Sequence, residues 1–191
     1  MPAAMRDTLQ EPAPGEPSPA GIRGPFIRGL RACVYLFTGI VGVPALISLG
    51  TGVRFPLILA VAGSTLVIEY AAVVPGVALQ LPAYITVPVV FSVGSGVITG
   101  SLEIFEAFSL TSPRLSRFLS RVRMRTAGKF LRRYGIWGLA PAILAAGFYV
   151  TPGLSFILGM PKKRSIAIMT GAFLLGELVT LSIATGVLKL L

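Results

Sequence analysis

The sequence contains no histidine and only one cysteine, Cys33, in 191 residues. Without histidine there is no imidazole to ligate a metal or to serve as a general base, and a lone thiol closes no internal disulfide. Cys33 is expected to pack as a small apolar residue. No G-x-x-x-x-G-K-[ST] stretch occurs, so nothing points to intrinsic nucleotide hydrolysis. Charge is scarce as well. Only 13% of residues are charged against 54% hydrophobic, and the mean hydropathy is +0.83. The stretches 32–53, 70–102 and 134–161 carry no charge at all. Uncharged apolar runs of about 18 residues or more are long enough to cross a hydrocarbon core. These features predict an all-α integral membrane protein that is not an enzyme and holds no metal or cofactor. Two isolated carboxylates with no histidine, metal cluster or nucleophile motif make no catalytic constellation.

The charges that are present fall into blocks. The first twenty residues are rich in Pro, Ala and Glu with no periodic apolar face, which predicts a disordered tail over 1–22 and a single membrane domain over 23–191. The first apolar run is too late and too long for a cleaved signal peptide. Arg23, Arg28 and Arg31 precede it, so an uncleaved anchor with a cytoplasmic N-terminus in the plasma membrane is expected. A second block comprises Arg114, Arg117, Arg121, Arg123, Arg125, Lys129, Arg132 and Arg133, and a third Lys162, Lys163 and Arg164. The net charge of +10 sits between apolar spans, which fits the positive-inside bias and anionic lipid better than nucleic acid.

Keeping all three blocks on one face requires an even number of crossings between them. Tyr134–Pro161 is too short for two spans of about 20 residues but long enough for two half-depth arms. Turns are expected at Pro75-Gly76 and Pro152-Gly153, where a residue without an amide donor adjoins one that tolerates positive φ. Each is followed by a short apolar arm and a second proline, Pro82 or Pro161, an echo that suggests an internal repeat. The expected order is a span over 32–50, a re-entrant hairpin over 55–82, a span over 83–108, a basic amphipathic helix over 113–133, a second hairpin over 134–161 and a span over 165–188. The two hairpins would enter from opposite faces as an inverted repeat. Two proline-kinked spans are the alternative.

Glu177 lies centrally in the otherwise uncharged stretch 165–188. A charge at that depth costs about 2.5–3.5 kcal/mol on insertion scales, so the acid should face a partner or a cavity, as a proton or ion site or as interhelical glue. Glu69, six residues before Pro75, is the second candidate for proton or ion coupling, with Arg54 as a candidate charge partner. Glu103 and Glu106 are expected to pair with nearby arginines. Arg114, Arg117, Arg121, Arg125, Lys129 and Arg132 share one helical face and, with Lys162, Lys163 and Arg164, should contact anionic head groups. Ser92, Gly96 and Gly100 recur every four positions and permit close helix contact, within the fold or in a homo-oligomer.

The segment IEYAAVVPGVALQLP (68–82) resembles the acid-to-proline segment of the small multidrug export protein family. RRYGIWGLAPAILAAGFYVTPGLSFILGMPKKRSIAIMTGAFLLGELVTLSIATG (132–186) resembles that family's second half more closely. The wider DedA-like proteins, which carry re-entrant hairpins, are more distantly similar. The chain departs from the family at Ala71, where the family has an Arg. The resemblance implies a small membrane exporter acting on a small-molecule substrate. A lipid translocase or scramblase, and a membrane organiser without transport activity, are the readings held beside it.

Overall fold

A computed structural model describes residues 19–111 and 135–188. Among these, five helical segments are long and apolar enough to cross a membrane: Gly24–Thr51, Phe55–Ala78, Ala83–Leu110, Gly135–Leu158 and Lys162–Gly186. Large apolar side chains such as Leu49, Val67, Leu175 and Ile183 point outward. That outward apolar surface suits hydrocarbon as the surrounding solvent. Residues Arg114, Arg117, Arg121, Arg125, Lys129 and Arg132 of the expected basic helix, and most of the expected tail, lie outside the described residues.

The first segment runs through α1 (Pro19–Phe37), a π-turn (Thr38–Gly42) and α2 (Val43–Thr51). It therefore starts inside the stretch expected to be an unstructured tail and carries Arg28 and Arg31 within the helix. Pro44 supplies the reason for the π-turn. It has no N–H to donate, and the ladder widens so that Val43 N–H reaches back to Thr38 O. α2 stops at Gly52, whose φ of 70° is the left-handed cap conformation.

α3 (Phe55–Ile68), a 3-10 turn (Glu69–Ala72) and α4 (Val73–Ala78) form the second segment. α5 (Ala83–Thr111) is the central helix. After a 3-10 turn (Gly135–Gly138), α6 (Leu139–Leu158) and α7 (Lys162–Leu188) complete the described chain.

Two close approaches orient the helices. Gly39 lies against Gly96, where a Cβ on Gly39 would stand 2.6 Å from the Ser92 carbonyl oxygen and 2.9 Å from Gly96 Cα. Ser92 Oγ donates to Gly39 O at 3.1 Å, and Leu36 fills the space over Gly100. The small residues of α5 thus serve contact within the fold. Gly24 faces Leu110 and Arg28 pairs with Glu106, so α1–α2 and α5 run antiparallel. α5 and α7 are antiparallel too, since Lys162 meets Glu103 at 2.7 Å and Phe173 fills the space over Gly94.

The Pro-Gly pairs do not make the turns expected of them. Pro75-Gly76 lies inside α4 and Pro152-Gly153 inside α6. Pro75 falls in the first turn of α4, where no intrahelical donor is missing, and Pro152 stands about one turn after a break of its own helix. Lys162, Lys163 and Arg164 likewise form the first turn of α7 rather than a loop before it. Cations there oppose the helix dipole by about 0.3–1 kcal/mol each, and Lys162 offsets this by pairing with Glu103 and with Glu106 at 3.0 Å. The acids at the end of α5 therefore pair with Arg28 and Lys162 from two other helices. Cys33 is exposed on α1 rather than packed in the core.

The ends of α4 and α6 are built alike. Leu81 N–H donates to Gly76 O across Gln80, whose φ is 57°, and Met160 N–H donates to Ser155 O across Gly159, whose φ is 70°. Pro82 or Pro161 follows, and a long helix starts at the next residue. Buried positions on those helices correspond at the same step along the chain: Thr86 with Ser165, Val90 with Met169, Val93 with Ala172.

Candidate functional site

Among the described residues, helical backbone angles fail inside a membrane-length segment at two places, and the two meet. In the second segment Ile68 has φ −114° and ψ 9°, and Glu69 has φ 58° and ψ −129°. Positive φ with this ψ is strained for any residue that carries a Cβ, glutamate included, by about 1–3 kcal/mol, so the surroundings must hold it. In α6 the break is Gly147, with φ 80° and ψ 176°, a conformation nearly restricted to glycine. The carboxyl group of Glu69 occupies the space where a Gly147 Cβ would stand, its Cδ and Oε2 each 2.5 Å from that point. Phe148 N–H donates to the carboxylate. Phe148 opens the second arm of α6, so Glu69 accepts from an amide that the break leaves without a helical partner.

Two tyrosines complete the junction. Tyr149 Oη donates to Leu66 O at 2.6 Å, and Tyr70 Oη donates to Leu144 O at 3.2 Å. Each hydroxyl caps a carbonyl in the last turn before the other segment's break. The same step along the chain, within one residue, carries Leu66 to Leu144, Glu69 to Gly147, Tyr70 to Tyr149 and Gln80 to Gly159. Behind the tyrosines lies an aromatic layer. Tyr70 and Phe173 have ring centroids 6.3 Å apart, Phe173 and Phe148 5.5 Å, and Phe148 and Tyr149 4.5 Å.

Glu177 is on α7, one turn beyond Phe173. Its side chain is completely buried, and neither carboxyl oxygen has a hydrogen-bond partner among the described residues. The ring of Tyr70 lies 3.5 Å from the Cβ position of Gly176, the residue just before it. The two acids singled out in the sequence are thus linked through neighbouring residues at one junction. Arg54 is not part of it. It is exposed at the start of α3, and the fourteen residues of that helix put about 20 Å between it and Glu69. No cation is within ion-pair distance of Glu69 or Glu177 among the described residues. Nor does any group of three His, Cys, Asp or Glu there suit a metal ion.

Gly147, Tyr70 and Tyr149 were missed by reasoning from the sequence. The signal was present: LVIEYAAVVPG (66–76) and LAAGFYVTPG (144–153) share a Leu, a tyrosine and a Pro-Gly in the same order. Chemically, the junction offers a buried carboxyl, backbone groups released by two broken helices and an aromatic wall. No family model, curated protein or solved structure matches the chain.

Proposed function

We propose that the chain is a small membrane transporter in which Glu177 takes up a proton or small cation at a central site between two broken segments. The observation that carries this reading is the meeting of the two helix breaks beside an unpartnered carboxyl buried in an apolar span. Broken backbone at membrane depth is tolerated where protein or a wet cavity covers it, and transporters place such breaks at their binding sites. An intramembrane acid with no ion-pair partner is a functional site by default.

The arrangement of helices favours re-entrant hairpins. α1–α2 and α5 are antiparallel neighbours, so 55–82 begins and ends at the same end of the bundle. The corresponding features of α3–α5 and α6–α7, with α5 and α7 antiparallel, favour an inverted repeat. Arg28 and Lys162 lie together at one end, which supports a cytoplasmic N-terminus in the cell membrane by the positive-inside bias. Lys163 and Arg164 are exposed there to meet anionic head groups. The resemblance to small multidrug export proteins supplies the substrate class, a small molecule.

A lipid translocase is the second reading. An apolar groove of about 300 Å³ lined by Pro25, Phe26, Gly29, Ile104 and Phe108 adjoins the Arg28–Glu106 pair and would suit an acyl chain beside a polar head.

Reconstitution into liposomes separates the two. Proton- or cation-driven solute flux that Glu177→Gln reduces at least tenfold, with head-group movement no faster than in empty vesicles, is the expected outcome. Head-group movement that survives Glu177→Gln would replace the first reading with the second. Neither activity would leave a membrane organiser.

A further inference from the structure

We propose that Tyr70 and Tyr149 form a reciprocal latch that closes the seam between the two helix breaks and controls access to Glu177. This rests on the transporter reading of the same site and names its gate. A helix that breaks leaves the carbonyls of its last turn without partners, and in hydrocarbon no water replaces them. Leu66 O and Leu144 O are two such carbonyls. Among the described residues, most hydroxyls that make a hydrogen bond cap their own helix, as Thr65 does to Val61, Thr151 to Gly147 and Thr180 to Gly176. The tyrosines instead cross the seam in both directions, so neither segment can move away without exposing a carbonyl on each side.

The position of the latch is that of a gate. Tyr149 is 48% exposed, whereas Phe148, Phe173 and Glu177 behind it are 0% exposed. Tyr70 also packs edge-on against Phe173 and lies over Gly176 together with Leu144, whose carbonyl it holds, so parting the two segments uncovers the turn of α7 that carries Glu177. The Glu69 carboxylate on Phe148 N–H ties the same two segments at the breaks themselves. Parting the tips therefore breaks a small set of directed bonds together, which makes the junction two-state rather than gradually deformable.

The test reads access without any substrate. The full chain in liposomes is treated with dicyclohexylcarbodiimide, a lipophilic reagent to which a carboxylic acid adds and rearranges to a stable N-acylurea. The rate at Glu177 is followed by peptide mass spectrometry. Tyr70→Phe and Tyr149→Phe are expected to speed labelling about 2- to 10-fold each, the loss of one neutral hydrogen bond, and the double variant by about the product. Thr180→Val, which removes a hydroxyl bond near Glu177 but outside the seam, should leave the rate unchanged. A double variant that labels at the original rate, or a Thr180→Val rate equally raised, overturns the latch. A chain carrying Cys33→Ser, Leu66→Cys and Tyr149→Cys tests closure independently of the Phe variants. A short bis-thiosulfonate bridge between the two cysteines should slow labelling relative to the unbridged chain, and an unchanged rate overturns the proposal. Because labelling needs no transport, a failed latch leaves the Glu177→Gln flux result standing, and a failed flux result leaves the labelling interpretable.

Discussion

Replacing Gly147 with alanine perturbs the junction through two separable effects. The backbone there has φ 80° and ψ 176°, and forcing a side chain into that region costs about 1–3 kcal/mol. The added methyl also falls on the Glu69 carboxyl, which must leave its place on Phe148 N–H. A hydrogen bond to a charged group contributes about 1.5–3 kcal/mol. Together Gly147→Ala should destabilise the chain by about 2.5–6 kcal/mol in a reversible unfolding assay in mixed micelles. Gly171→Ala is the control, because a Cβ at Gly171 meets nothing within 4 Å in a helical backbone, and there alanine should stabilise by up to about 1 kcal/mol. Glu69→Ala removes the second effect in advance. In that background Gly147→Ala should cost only the backbone strain, about 1–3 kcal/mol, so the two substitutions couple by the difference. Equal costs for Gly147→Ala in the two backgrounds would show that Glu69 does not occupy the break. A Gly147→Ala cost as small as that of Gly171→Ala would remove the break itself.

Two further outcomes are expected. On a Cys33→Ser background, cysteines at Arg54 and Tyr84 should label from one face of oriented membranes and a cysteine at Lys163 from the other, since all three positions are exposed and the first two flank 55–82. Labelling of Arg54→Cys and Tyr84→Cys from opposite faces would make that segment a simple crossing. Lys162→Met should destabilise the helix ends by about 1–3 kcal/mol, because Glu103, only 4% exposed, loses its cation. Glu103→Gln should recover part of that loss, and a recovery of nothing would mean the pair is not coupled.

Much of the helical plan was legible because membrane-spanning composition is a strong signal. The uncharged stretches located the apolar segments, and Ser92, Gly96 and Gly100 announced a close contact that the first segment makes through Leu36 of α1 and Gly39 of the π-turn. The acids were legible for the same reason, since a carboxyl in an apolar run stands out. The breaks were not. Proline and glycine are read as turn formers, yet Pro75 and Pro152 are accommodated near helix starts. The strained positions are a glutamate, which no local rule selects for positive φ, and a glycine without a proline beside it. What holds Glu69 in that conformation is a contact with a residue far along the chain, and tertiary contact of that kind leaves no local trace. The helix starts at Pro19 and Lys162 are hidden in the sequence because cations read there as span boundaries, whereas Lys162 enters the helix once Glu103 and Glu106 are there to meet it.

The contact between Gly94 and Phe173 has a consequence for assembly. The two residues stand at corresponding places on α5 and α7, and the phenylalanine ring fills the hollow that the glycine leaves, with 2.6 Å from the position of a missing Cβ to Cζ. Two copies of the glycine-bearing half would face each other across a void. Two copies of the phenylalanine-bearing half would press ring against ring. Removing such a ring from a core costs about 3–5 kcal/mol, and overpacking costs a similar order. Under the inverted-repeat reading proposed above, each half is a misfit to itself and a fit to the other, so joining them in one chain supplies each half with its mate.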